Sequence, residues 1–254
     1  MKEKCIFGPV QSRRLGLSLG INLTPYKTCS LDCAYCECGK TTDLTVIRKD
    51  YISIEHVQKS LKRYSESSLF RSKPPSCVTF AGFGEPTLHS GLGSIAQFAK
   101  KTFPEQHLVL ITNGTLFPTH PELFQEIQPI DIILPSLDAG SEEIFKKIDR
   151  PHHSITLASL VEGLIRLRKS YHGQIWLEVF IVEGINDSES ELYLIREAIS
   201  RISPDRVQLN SLDRSPAENW VNSTSPQRLI AIAEFLGAEL LSKNSISIQV
   251  DALV

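Results

Sequence analysis

The run Thr28-Cys-Ser-Leu-Asp-Cys-Ala-Tyr-Cys36 decides how the rest of the chain is read. Its cysteines, Cys29, Cys33 and Cys36, follow a C-x-x-x-C-x-x-C spacing with an aromatic residue before the third. A structural zinc site closes its tetrahedron with four protein ligands. An ordinary electron-transfer iron-sulfur cluster takes four cysteines. A cubane held by three keeps one iron free for a small molecule. Zinc is the competing reading, and it requires a fourth ligand that Cys38 could supply.

This spacing, with Tyr35 before the last cysteine, resembles the cluster loop of radical S-adenosylmethionine (SAM) enzymes. In these enzymes the amino and carboxylate groups of SAM chelate the open iron of a 4Fe-4S cluster. About fifty residues on comes Val78-Thr-Phe-Ala-Gly-Phe-Gly-Glu-Pro-Thr87. It is an apolar run of strand character that stops at Gly82, Gly84 and Pro86. It is similar to the glycine-rich turn with which the superfamily holds the methionine amino group. A bound ammonium wants backbone carbonyls at close approach and a carboxylate, and Gly82, Gly84 and Glu85 supply those parts.

Composition places the chain among ordinary globular proteins. Its 254 residues are 41% apolar and 22% charged, enough for one sizeable core. No apolar run approaches the roughly 18 residues of a membrane span, and the start, Met-Lys-Glu-Lys-Cys-Ile-Phe, lacks a signal-peptide core. A cytoplasmic location is therefore expected, where six cysteines read as metal or catalytic groups rather than disulfides. The net charge of −2 is not the balance of a protein held to nucleic acid by bulk electrostatics.

Strand patterns occur at residues 17–23, 76–81, 108–112, 130–137, 175–182, 206–212 and 245–250. Helical periodicity fills the gaps at 54–67, 92–102, 121–127, 141–148, 157–170, 190–202 and 227–240, with Ser141 and Ser188 as N-caps. Such alternation implies an α/β fold of parallel strands joined by right-handed crossovers. Pattern alone leaves a doubly wound sheet and a barrel open. The resemblance implies a partial (β/α)6 barrel in a single domain, with a core of about residues 16–215 and a helix-strand extension over 216–254. Its chemistry would lie at the C-terminal ends of the strands.

The resemblance also assigns residues to the cofactor. Tyr35 would pack near the adenine, Thr112, Asn113, Ser136 and Asp138 would contact the ribose and carboxylate of SAM, and Asn186 would lie near the nucleoside. Turn and cap chemistry is the alternative for each. Substrate contacts would come from rim residues that SAM leaves unused. Arg13, Arg14, Arg150 and Arg214 are suited to bidentate clamping, joined by Gln208 and Asn210 on the sixth strand. Glu178 alternates with Trp176 and Phe180, so its face is undecided from the sequence.

A more specific likeness lies in Phe7-Gly-Pro-Val-Gln-Ser-Arg-Arg-Leu-Gly16, Asp149-Arg-Pro151, Gly184-Ile-Asn-Asp187 and Leu209-Asn210. These segments resemble the bacterial branch of the group that includes the radical SAM wyosine synthases of tRNA. The likeness implies work on a modified nucleobase, in tRNA or as a small molecule such as a deazapurine, with an external electron donor such as flavodoxin or ferredoxin. A flavodoxin-like domain and a second three-cysteine motif are not evident, and Cys77, inside a strand pattern, reads as a core thiol. A peptide- or protein-modifying maturase or activase and a non-catalytic iron-sulfur or zinc-binding module are the alternatives. Reductive cleavage of SAM to a 5′-deoxyadenosyl radical is the reaction the resemblance implies.

Overall fold

The computed structural model describes residues 5–241. The chain opens with strands β1 (Ile6–Ser12) and β2 (Gly16–Ile21), followed by the short strands β3 (Thr28–Cys29) and β4 (Asp43–Leu44). Helices α1 (Ile54–Ser65) and α2 (Ser68–Ser72) lead to β5 (Cys77–Phe80), α3 (Leu92–Thr102), β6 (His107–Thr112) and α4 (Leu123–Glu126). Then come β7 (Ile132–Pro135), α5 (Glu142–Ile148), α6 (Leu157–Ser170), β8 (Gln174–Ile181), α7 (Glu189–Ile202) and β9 (Arg206–Ser211). The last elements are α8 (Pro226–Leu236) and β10 (Glu239–Leu240).

One open sheet of order β1-β2-β5-β6-β7-β8-β9-β10 carries the fold. Every pairing from β2 to β10 is parallel, and β1 alone runs antiparallel, on β2. The parallel order is what the alternation of strand and helix implies, and the open sheet is consistent with the partial barrel that the resemblance implies. Among the described residues, no helix is long and apolar enough to cross a membrane.

Strand alternation divides the side chains between two faces. Val78, Phe80, Leu108, Leu110, Ile133, Leu177, Val179 and Leu209 join the helices in the main core. The opposite, concave face is closed at its floor by Leu15, Cys77, Val109, Ile132, Leu134 and Trp176. Trp176 therefore fixes the face of Glu178, two residues on, as the concave one. Gln208 and Asn210 share it, in register with Glu178 and Phe180 on the neighbouring strand.

Capping sets the helix boundaries. Ser141 and Ser188 accept from Ile144 N and Glu191 N, as their sequence positions implied. The 227–240 helix is shorter than its pattern because Gly237, at φ +65°, ends α8, and Glu239–Leu240 then pair with β9. The 121–127 helix shrinks to Leu123–Glu126. Strand β1 escaped the pattern because it contains Gly8-Pro9, and proline is confined to edge strands such as this one. The strand expected over 245–250 lies outside the described residues.

Candidate functional site

The cysteine loop leaves the C-terminal end of β2 and is pinned from two sides. On one side, Thr42 N and Asp43 N donate to Lys27 O, and Thr45 N donates to Cys29 O. On the other, Asp32 N donates to Asp149 O, Ala34 N to Ile148 O, and His152 N to Ser30 O. The loop is thus part of the fold rather than a free segment, and its three cysteines are unbridged.

Polar groups surround the sulfurs. Lys27 Nζ donates to Cys36 Sγ at 3.0 Å, Asn113 Nδ2 lies 3.6 Å from Cys29 Sγ, and Cys33 Sγ lies 3.6 Å from Asp149 Oδ1. Burial, with Glu85 nearby, pushes the Cys29 thiol up to about 12, and burial beside Asp149 raises Cys33 well above its ordinary range. A hydrogen bond from Cys38, helped by the Lys27 ammonium, holds Cys36 down at about 5. Lys27 is itself buried, which favours loss of its proton, yet the attraction of Cys36, Cys29 and Cys33 outweighs that and raises its pKa. Ligation deprotonates cysteines, so a buried ammonium and an amide N–H facing the sulfurs suit a bound thiolate set.

Cys38 lies beside the triad. Cys38 turns toward Cys36 and the Gly82 carbonyl, 3.8 Å away. Among the described residues, no three His, Cys, Asp or Glu side chains converge as a single-ion site.

The glycine-rich turn at the end of β5 is zipped to the cysteine loop. Lys27 N donates to Phe83 O at 2.9 Å and Glu85 N to Thr28 O at 3.1 Å. A Cβ on Gly84 would stand 2.0 Å from Thr28 O, and one on Gly82 would stand 2.3 Å from Asn22 Oδ1. Gly84 is thus required by the approach of one backbone to another, and Gly82, at φ +134°, by the Asn22 side chain and its own left-handed conformation. Glu85 is 2% exposed, and burial raises its pKa despite four donors to its carboxylate. Oε1 accepts from Thr87 N, Thr87 Oγ1 and Thr112 Oγ1, and Oε2 accepts from Asn113 N at 2.8 Å. Glu85 therefore joins the ends of β5 and β6, and Oε2 keeps acceptor capacity beyond its one bond.

At the ends of β7 and β8, Asp138 and Asn186 are bonded into the strand ends. Asp138 Oδ1 accepts from Phe180 N at 2.7 Å, and Oδ2 accepts from the Tyr35 hydroxyl at 2.5 Å. Burial pushes the Asp138 carboxyl up to about 7 and raises Tyr35. Asn186 donates to Asp138 O and Phe180 O and accepts from Val182 N. Asp138 and Asn186 are 3% and 0% exposed, and their side chains hold the strand ends together. Tyr35 stacks on Phe180 with centroids 3.9 Å apart, covering one face of its ring. Thr112 and Asn113 border the cysteines through Glu85 and Ser30, and Ser136 pairs across to Glu178.

The expected substrate residues separate into two groups. Arg14 forms an ion pair with Glu178, and Arg13 reaches Asn210 Oδ1 at 3.4 Å and Asp213 Oδ2 at 3.6 Å. The β1–β2 turn thus extends two arginines to β8 and β9, across the gap in the barrel. Arg150 instead binds Asp32 O and Glu218 Oε1, both at 2.6 Å, and staples the cysteine loop. Arg214 pairs with Glu37 on a side chain 76% exposed, outside the concave face. Nearby carboxylates engage each of these two guanidinium groups. Lys27 and Asp149 were missed as neighbours of the cysteines, because burial and long-range proximity leave no local pattern.

Comparison with known proteins agrees with this geometry. The family model "Radical SAM superfamily" matches residues 23–194. A UPF0026 protein of Methanocaldococcus jannaschii is 31% identical over 95% of this chain and 74% of its own length. A protein named GTPase Obg from Brachyspira hyodysenteriae is 37% identical over 90% of this chain, which spans 33% of that protein's length. Among solved structures, TYW1 with a lysine-pyruvate adduct bound is similar at TM-score 0.65 and 16% identity, over 87% of this chain and 74% of that one. A radical SAM methyltransferase from Sphaerobacter thermophilus gives TM-score 0.68 and 15% identity, over 88% and 65%. The match over most of the chain, on the three-cysteine loop and the open parallel barrel described above, shows that the chain belongs to the radical SAM superfamily.

Proposed function

We propose that this protein is a radical SAM enzyme whose substrate is a small nucleobase or nucleobase-like molecule. The observation that carries this reading is the division of the barrel mouth into two halves. Cysteines, glycine turn and Asn113 occupy the β2, β5 and β6 side, while Arg13, Arg14, Glu178, Asn210 and Asp213 occupy the β8 and β9 side. The second half pairs two guanidinium groups with two carboxylates, which suits a neutral polar molecule over a polyanion. The net charge of −2 points the same way.

Cys29, Cys33 and Cys36 would hold the 4Fe-4S cluster, with Lys27 and Asn113 offsetting thiolate charge. When bound, the cluster and SAM supply reductive cleavage of a carbon–sulfur bond and a 5′-deoxyadenosyl radical. The Gly82–Glu85 turn would receive the methionine amino group through its backbone carbonyls and Glu85 Oε2. Thr112, Asn113 and Ser136 would border the rest of SAM, with the Tyr35–Phe180 stack as a wall. Arg13, Arg14 and their partners would orient the substrate and keep bulk water from the reacting atoms. A flavodoxin or ferredoxin would deliver the electron.

Likeness to TYW1 supports nucleobase chemistry of the tRNA-modification kind. That TYW1 structure has a lysine-pyruvate adduct bound, whereas Lys27, the buried lysine found among the described residues, is committed as an ammonium to Cys36. A free base rather than tRNA is the substrate this reading expects, on the charge argument above.

Anaerobic reconstitution with iron and sulfide, followed by SAM, dithionite and candidate bases, tests the reading. 5′-Deoxyadenosine should form with a base present, and a Cys33→Ala variant should abolish it. Stimulation by peptides and not by bases would replace this reading with a peptide-modifying one.

A further inference from the structure

Gln208 is 0% exposed on β9, yet neither its Oε1 nor its Nε2 has a hydrogen-bond partner. Its register partner on β8 is Glu178, which carries the ion pair to Arg14. Arg14 Nη1 is likewise buried without a partner. Apart from Glu178 Oε2, which the ion pair to Arg14 engages, three polar atoms on one layer of the concave face are therefore left open: two donor nitrogens and one acceptor oxygen. Beneath them the floor is apolar, made by Trp176, Leu134 and their neighbours. Unpaired buried polar groups oppose folding, and a layer holding three of them is built for something beyond the chain.

Building on the nucleobase reading above, we infer that Arg14 and Gln208 recognise a lactam edge on the substrate. The argument is one of lone pairs. A carbonyl oxygen offers two and can accept from Arg14 Nη1 and Gln208 Nε2 together, while the adjacent lactam N–H donates to Gln208 Oε1. A ring nitrogen offers one lone pair, so the amino-substituted form of the same ring leaves one of these donors unpaired. A carboxylate supplies no donor for Gln208 Oε1 and meets the charge of Glu178. Arg14 and Glu178 are each 14% exposed and mark the way in from the mouth. The inferred class is a six-membered cyclic lactam of the oxopurine type.

Hypoxanthine and adenine differ at this edge and serve as probes. Calorimetric titration of each into the anaerobically reconstituted, SAM-loaded protein should give hypoxanthine about tenfold tighter binding, the worth of one hydrogen bond to a charged group. Gln208→Met conserves volume and removes the unpaired amide, so it should raise the melting temperature of the base-free protein while erasing the preference. Gln208→Leu, which lacks both amide groups and adds no charge, should also erase it and guards against a misfolded first variant. Equal affinities in the wild type overturn the inference, as does a preference that survives in both variants, which is the result if ordered water satisfies Gln208. Those results leave the nucleobase reading standing, since bases still bind. Binding of neither base overturns both.

Discussion

Lys27 Nζ donates to Cys36 Sγ at 3.0 Å from a side chain that is 2% exposed. A buried lysine is costly unless it is paired, and here the pairing partner is a residue of the metal-binding loop. The same lysine's backbone donates to Phe83 and accepts from Thr42 and Asp43. One residue therefore ties together the cysteine loop, the glycine turn and the β3–β4 pair. Lys27→Met should leave the chain folded but weaken cluster retention about 10- to 100-fold, the usual effect of losing a partner behind a metal ligand. Iron and sulfide per chain after gel filtration, against apo-protein circular dichroism, measure the two effects separately. Full iron loading in the variant would show that the lysine serves only the backbone.

The glycine turn makes a steric prediction. Gly84→Ala places a methyl group 2.0 Å from the Thr28 carbonyl, and backbone cannot swing aside as a side-chain tip can. A loss of about 3 kcal/mol, at the upper end of the usual overpacking cost, is expected, together with displacement of the cysteine loop. Gly184→Ala is the control: its φ is +71°, and nothing lies within 4 Å of the added atom. That variant should cost only the left-handed backbone penalty of about 1–2 kcal/mol and leave iron binding intact. Urea unfolding of both apo variants gives the comparison, and equal losses would contradict the close-approach reading.

How much of this was readable beforehand follows from distance along the chain. The cysteine triad, Gly82–Glu85 and the parallel order of strands rest on local spacing and period, so the sequence displays them. The N-caps at Ser141 and Ser188 were visible for the same reason. Roles set by remote partners were not visible. Asp138 looks like a rim residue until the Tyr35 hydroxyl, 103 positions away, claims it, and Arg150 looks like a clamp until Asp32 and Glu218 do. The face of Glu178 depended on which alternate residues met the helices, and Trp176 in the concave floor decided it.

Asn186 provides a test of structure against cofactor contact. Its amide makes three buried bonds, to Val182 N, Asp138 O and Phe180 O. Asn186→Ala strands those backbone groups and should destabilise the apo-protein by about 2–4 kcal/mol, given roughly 1–3 kcal/mol for each unsatisfied group and partial relaxation. A variant of unchanged stability but weakened SAM binding would instead restore the nucleoside contact that the Gly184-Ile-Asn-Asp187 likeness implied.

His89 links the fold to pH. Its ring is 0% exposed, with Nε2 lying 2.7 Å from Ile52 O and Nδ1 accepting from Gly91 N at 3.0 Å. This pattern needs a neutral ring protonated on Nε2, because Nδ1 must keep its lone pair. Burial lowers the pKa of His89 below its ordinary 6.5, and the bond to Ile52 O offsets only part of that. In the unfolded chain the ring gains its proton on passing downward through 6.5, while in the folded chain it resists to lower pH. The unfolded state then binds more protons, so the contribution to stability is present above 6.5 and is lost as pH falls toward the folded value. His89→Gln preserves a donor toward Ile52 without a titrating group. The stability gap between wild type and this variant, measured by urea unfolding of the apo-protein, should narrow as pH falls from about 7.5 to about 5.5. A gap that is constant with pH would mean that His89 titrates alike in both states.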